Sequence, residues 1–114
     1  MTVARRALGA AGEAQAARWY EAQGFTVVDR NWRCREGEID LVLASGRLIV
    51  FCEVKTRSSA AFGHPVEAIT HVKQERLRRL AASWLDASAV RPRDIRFDVA
   101  AILAGELEVF EAAF

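Results

Sequence analysis

The stretch LIVFCEVK, residues 48–55, decides the fold because five apolar residues lead directly into a charged Glu-x-Lys end. Side chains alternate between faces along an extended strand, so Glu53 and Lys55 project from one face and Val54 from the other. A strand that is apolar on both faces belongs at the centre of a sheet that helices cover on each side. We therefore expect residues 48–55 to form a central strand that carries a carboxylate beside an ammonium group.

The preceding stretch GEIDLVL, residues 37–43, also alternates between apolar and polar residues. A tight turn at Gly46 would pair it antiparallel with the central strand and bring Asp40 close to Glu53. Mg²⁺ is bound in proteins through one or two carboxylates, with waters and substrate phosphate completing its shell. The pattern therefore predicts a metal-dependent nuclease centre in which Lys55 contacts the attacking water or the charge developing on phosphorus. A Glu-x-Lys triplet alone also fits an exposed ion pair at a strand end.

Periodicity and turn residues predict the other elements. Residues 8–23 favour a helix, which Gly24 ends. Apolar side chains at helical spacing predict a second, long amphipathic helix over residues 66–85, with Pro65 at or just before its first turn. Strands are expected at residues 25–32, 37–43, 48–55, 95–103 and 106–110. The order is a helix, three antiparallel strands, a helix and one or two strands, which predicts an α/β fold with a mixed central sheet flanked by helices.

Composition limits the class of protein. The chain has 114 residues and a formal net charge of +1, which indicates a single domain over residues 1–114. Residues 55–79 carry six lysines and arginines against two acidic residues, so a locally basic surface is expected on a nearly neutral protein. Cys34 and Cys52 lack the spacing of metal ligands, and both are expected to be reduced. No apolar stretch approaches the ~20 residues of a membrane span, and a cytoplasmic location is expected.

The order of elements, with Asp40 on the second strand and Glu53-x-Lys55 on the third, resembles the restriction-endonuclease-like (PD-(D/E)xK) superfamily. More narrowly, the chain resembles the YraN family of small bacterial proteins, which are similar to the archaeal Holliday-junction resolvases. The matching stretches are Gly9-x-x-Gly12-Glu13-x-x-Ala16, Asn31-x-Arg33, Gly37-Glu38-Ile39-Asp40-Leu41, Phe51-x-Glu53-Val54-Lys55-x-Arg57, Gly63-x-Pro65-x-Glu67-Ala68 with Lys73, and Arg96-Phe97-Asp98-Val99. Ile39 stands where the superfamily motif has proline, and this leaves the carboxylate in place.

The resemblance implies a restriction-endonuclease-like core and a Mg²⁺- or Mn²⁺-dependent endonuclease that hydrolyses DNA, with branched or otherwise structured DNA as its substrate. Glu13 matches the glutamate that joins the strand carboxylates in the resolvases, and Val54 matches the residue whose backbone carbonyl commonly binds the metal. The implied catalytic residues are Glu13, Asp40, Glu53 and Lys55. The implied metal ligands are Asp40, Glu53, Val54 and Glu13.

Further residues are candidates for binding DNA or for supporting the site. Phosphate contacts are expected from basic residues after the central strand and on the second helix, namely Arg57, Lys73, Arg76 and Arg79. The alternative is that these are ordinary surface charges, with Lys73 a snorkelling lysine at the helix edge. Glu38 is either an alternative or outer ligand or a surface acid. Asp98 lies among apolar neighbours in a predicted core strand, so we expect it to form a structural pair with Arg96.

Two alternatives to the nuclease hypothesis remain at this point. One is a nucleic-acid-binding module of the same fold without efficient cleavage, and the other is a protein-interaction subunit whose charged cleft is vestigial. Two carboxylates and a lysine kept together argue against the vestigial cleft. A homodimer is expected with the nuclease hypothesis, because resolvases cut two opposed strands and work as symmetric dimers.

Overall fold

The computed structural model describes residues 3–61 and 63–114 of the chain. Its helices and strands, in chain order, are α1 (Val3–Ala22), β1 (Thr26–Cys34), β2 (Gly37–Ser45), β3 (Leu48–Arg57), a short 3₁₀ helix (Pro65–Ala68), α2 (His71–Ala87), β4 (Asp94–Leu103) and β5 (Glu106–Phe110). The five strands form one sheet in the order β1-β2-β3-β4-β5. The predicted α/β fold is confirmed, and it is compatible with a restriction-endonuclease-like core.

Strand β3 is the central strand, as its apolar sequence predicted. It pairs antiparallel with β2 and parallel with β4, whereas β1–β2 and β4–β5 are antiparallel. Val50 and Cys52 pack with α1 on one face, and Phe51 packs with α2 on the other. The strand also runs two residues past Lys55, because its pairing with β4 continues to Arg57. The charged end of β3 is therefore hydrogen-bonded to β4 along one edge, and its other edge is no longer paired with β2.

The second helix is shorter than the sequence predicted. One continuous helix over residues 66–85 was expected, but the structure has a 3₁₀ turn over Pro65–Ala68 and a separate helix from His71. Thr70 causes the break: its backbone is extended, and its side-chain oxygen accepts a hydrogen bond from the Lys73 N–H at 3.3 Å. Threonine is a favoured residue at the start of a helix for this reason. The prediction of a continuous helix was therefore wrong.

The predicted structural pair of Arg96 and Asp98 is confirmed. The Asp98 side chain is completely buried and accepts two hydrogen bonds from the Arg96 guanidinium, each 2.9 Å long. The Tyr20 hydroxyl donates a third at 2.6 Å, and the Ala112 N–H donates a fourth at 3.0 Å. Four donors satisfy the buried carboxylate. Asp98 thus connects β4 to α1 and to the last residues of the chain. Its role is structural.

The structure contains no helix that combines the length and the apolar composition needed to cross a bilayer, within residues 3–61 and 63–114.

Candidate metal centre

The candidate centre lies where β2 and β3 separate. Their ladder ends with the pair Leu41–Cys52, so Asp40 and Glu53 are the next residues in register but no longer form a backbone pair. Instead, the Asp40 side chain accepts a hydrogen bond from the Val54 N–H at 2.8 Å. The charge of Glu53 raises the pKa of Asp40, so the two carboxylates lie near each other at this opening. The predicted approach of Asp40 and Glu53 is what the structure shows.

Strand β2 is irregular at Asp40 itself. The ladder between β1 and β2 pairs Arg30 with Leu41 and Trp32 with Ile39, but it skips the intervening Asn31 and Asp40. Residues two apart share a face in a regular strand. Here Ile39 packs beneath α2, whereas Leu41 packs beneath α1. The alternation of side chains is therefore reset at Asp40, although the register of the ladder is the same on both sides of it. The shift of register between these two strands lies between Val27 and Asp29.

Helix α1 supplies a third carboxylate. Glu13 lies three, four and seven residues before Ala16, Ala17 and Tyr20, which are buried hydrophobic residues of α1, so it points toward the sheet. Gly12 allows this close approach, because a Cβ at that position would collide with the Thr56 side chain. Carboxylate oxygens of Glu13, Glu38 and Asp40 all lie within 4.8 Å of one another. Residues from α1 and from β2 thus converge at one end of the sheet.

The electrostatics of this cluster favour a bound cation. Burial raises the pKa of Asp40 to about 8, and the charge of Glu53 adds to this rise, while the hydrogen bond from Val54 opposes it. Burial also raises the pKa of Glu53, and the charges of Lys55 and Lys73 oppose the rise. The pKa of Glu13 is raised by burial and by the charge of Asp40, and the nearby Asn31 side chain opposes this rise. Crowded carboxylates of this kind resist ionisation, and a hard divalent cation with oxygen ligands would remove that cost.

Basic side chains line the other side of the opening. Lys55 Nζ lies 3.7 Å from Glu53 Oε1, with both side chains only partly exposed. A cleft of about 150 Å³ joins this pair to Glu38 and to Lys73 and Arg76 of α2. Anionic and cationic groups are therefore adjacent in one cleft, so a metal and a phosphate group could be held side by side.

The structure brings together most of the residues that the sequence singled out. Glu13, Asp40, Glu53, Lys55, Lys73 and Arg76 all surround the opening. Arg79 lies on the side of α2 opposite its buried residues Leu77, Leu80, Ala81 and Trp84. Arg57 is at the far end of β3 and does not line the cleft.

Two residues have a larger part in the site than the sequence suggested. Glu38, considered there as a ligand or a surface acid, joins the carboxylate cluster and forms an ion pair with Arg33 at 3.0 Å. Asn31, which stood out in the sequence only as part of a matching stretch, lies opposite Asp40 in register and close to Glu13. Asparagine is uncommon inside strands and tolerates the left-handed backbone conformation, which is the signal that could have identified it.

Comparison with known proteins finds relatives over nearly the whole chain. Residues 12–102 match the family described as "Uncharacterised protein family UPF0102", a range that includes every carboxylate of the candidate centre. A UPF0102 protein of Beutenbergia cavernae is 58% identical over 100 residues, covering 88% of this chain and 85% of the relative. A UPF0102 protein of Nocardioides sp. is 54% identical over 99 residues, covering 87% and 80%. A UPF0102 protein of Streptomyces griseus is 52% identical over 101 residues, covering 88% and 85%.

Proposed function

This chain belongs to the uncharacterised protein family UPF0102, and we propose that it is a Mg²⁺- or Mn²⁺-dependent endonuclease that hydrolyses phosphodiester bonds in DNA. One observation carries the proposal: carboxylate oxygens of Glu13, Glu38 and Asp40 lie within 4.8 Å of one another where β2 and β3 separate. Glu53 approaches Asp40 from β3, and Lys55 lies beside Glu53. An accidental surface ion pair gives no reason for three carboxylates with raised pKa values to meet there.

The proposed roles of the residues agree with their positions. Glu13, Asp40 and Glu53 would hold the divalent cation, and the carbonyl of Val54 is the proposed backbone ligand. Such a cation would polarise the scissile phosphodiester and would neutralise the negative charge that develops on it. The Lys55 ammonium group, adjacent to Glu53, orients the attacking water and stabilises the developing charge. Each residue thus acts on charge that appears in the transition state.

The mouth of the cleft supports the choice of a phosphodiester substrate. Lys73 and Arg76 project from α2 beside Glu53 and Lys55, so a polyanion approaching the carboxylates meets two cations first. The low net charge of the chain means that this attraction is local. A strand of DNA could therefore pass across the cleft with its backbone against α2, while its scissile phosphate reaches the carboxylates.

Branched DNA and a homodimer belong to the same proposal. The carboxylates, Lys55 and the cleft form one centre, which cuts one strand at a time. Two opposed strands of a junction are cut together only when two centres are related by symmetry, and a twofold dimer supplies that arrangement. Light scattering of the protein with and without a four-way junction measures whether two copies assemble on it.

The test is incubation of the pure protein with four-way, single-stranded and duplex DNA in Mg²⁺, Mn²⁺ or a chelator. Cleavage that requires the metal and favours the junction is the expected result. Binding of DNA without cleavage in either metal would identify the chain as a nucleic-acid-binding module instead. Absence of both binding and cleavage would remove the proposed function.

A further inference from the structure

Asn31 has an unusual backbone conformation for a residue within a strand. Its φ is 49°, in the left-handed region, and it lies inside β1. The other non-glycine residues with positive φ among the described residues are Ala104 and Ala112, and both lie in turns. A left-handed residue costs conformational energy, and asparagine tolerates it better than most residues. The strand therefore keeps a strained geometry at this position.

The position of the irregularity coincides with the candidate metal centre. Asn31 is opposite Asp40 in register, and the ladder between β1 and β2 omits both residues. The side-chain alternation of β2 is reset at the same point, between Ile39 and Leu41. An uninterrupted pairing would keep Ile39, Asp40 and Leu41 in strict alternation and would turn the Asp40 carboxylate to a different direction.

The Asn31 side chain reaches a second carboxylate of the same centre. Its amide lies close enough to Glu13 to oppose the rise in the pKa of that carboxyl group, and Glu13 comes from α1 and is distant in sequence. A single residue therefore contacts one carboxylate through its side chain and shapes the strand at another through its backbone. Groups that orient ligands in this way are typical of metal sites.

We propose that Asn31 is the positioning residue of the centre, fixing Asp40 through its left-handed backbone and Glu13 through its side-chain amide so that both face one divalent cation. This inference rests on the proposed function, because it assumes that the carboxylates bind a metal. Asn31 does not bind the metal itself. Its contribution is preorganisation, which is lost when either the bend or the amide is removed.

Two substitutions separate the two contributions. Asn31→Gly keeps the left-handed backbone, because glycine adopts it freely, but lacks the amide. Asn31→Val lacks the amide and also disfavours the bend, because a β-branched residue is strongly opposed to positive φ. Ala104→Val is the matched control: Ala104 also has a φ of 49°, but it lies in the turn between β4 and β5. It should lose stability for the same backbone reason while leaving the centre untouched.

The measurement is Mn²⁺ affinity, determined by electron paramagnetic resonance of the free ion, on folded full-length protein. We expect Asn31→Gly to lose about tenfold in affinity and Asn31→Val to lose up to about a hundredfold, whereas Ala104→Val binds as the unchanged protein does. If Asn31→Val does not fold, the Gly variant decides. If Asn31→Gly binds Mn²⁺ with the affinity of the unchanged protein, the positioning role is overturned. Failure of the unchanged protein to bind Mn²⁺ would instead contradict the proposed function.

Discussion

The Asp40 carboxylate accepts a hydrogen bond from the Val54 N–H at 2.8 Å, across the point where β2 and β3 stop pairing. A side chain thus takes the place of a ladder partner. The bond fixes the separation of the two strands and the direction of the carboxylate together. Asp40 therefore has a structural role, as an acceptor, that is separable from its charge.

Substitutions of Asp40 should distinguish its role as a hydrogen-bond acceptor from the effect of its charge. Asp40→Asn keeps an acceptor of the same shape and removes a charge whose ionisation is disfavoured, so the metal-free variant should be at least as stable as the unchanged protein. Asp40→Ala leaves the Val54 N–H without this partner and should be less stable than the Asn variant by about 1–3 kcal/mol. Urea unfolding in a chelator measures both. Equal stability of the two variants would show that the Val54 hydrogen bond contributes nothing.

The raised pKa of Asp40 predicts how stability depends on pH. Because the folded state holds this proton up to about pH 8 and the unfolded chain releases it near about pH 4, the folded protein binds more protons between those values. The free energy of unfolding should therefore fall as the pH rises across that interval. Asp40→Asn should show a shallower fall, and saturating Mg²⁺ should flatten the curve of the unchanged protein. If the free energy of unfolding depends on pH in the same way for both proteins in chelator, the raised pKa of Asp40 is contradicted.

The break before α2 can be tested at Thr70. Its side chain accepts the Lys73 N–H, so Thr70→Ala should lower the free energy of unfolding by about 1 kcal/mol, while Thr70→Ser should keep most of the stability. A continuous helix through Thr70 predicts the opposite sign, because alanine is the better residue inside a helix. Thermal or urea unfolding of the two variants therefore decides whether the helix starts at this residue.

The charges of the cleft predict a specific change in DNA binding. Removing Lys73 and Arg76 together should weaken duplex binding and reduce the log–log salt slope by up to roughly 1.8, because each lost phosphate contact removes about 0.9. The control is Arg79→Ala with Arg91→Ala, which removes the same charge outside the cleft. Titration of labelled duplex in chelator at several salt concentrations measures both slopes. A larger effect in the control would move the binding surface to the outward side of α2.

The sequence predicted the parts of the fold that depend on periodicity. An apolar run followed by Glu53 and Lys55 was sufficient to place β3 at the centre and Asp40 beside it. The break at Thr70 was missed for a physical reason. Val66, Ile69, Lys73 and Leu77 keep helical spacing across it, and this spacing does not register a residue whose side chain caps a new helix.

The site was less predictable than the sheet. The pattern of strands gave Asp40 and Glu53, whereas Glu13 came only from resemblance, because a glutamate in a helical stretch has no signal of its own. Its inward direction depends on the close contact at Gly12. The role of Asn31 depends on its positive φ angle, which average secondary-structure propensities do not predict for a single residue. The positions of these side chains therefore depend on contacts between elements that are distant in sequence, and periodicity does not report such contacts.

The most direct test of the account is the rate of Mg²⁺-dependent cleavage of a four-way DNA junction by the unchanged protein and by Glu53→Gln. Glutamine keeps the shape of the side chain and removes the charge, so the account predicts cleavage by the unchanged protein and a rate at least about a hundredfold lower for the variant. Glu111→Gln removes the same charge beside Arg96 and should cleave normally. No metal-dependent cleavage by the unchanged protein, or equal cleavage by Glu53→Gln, would contradict the account.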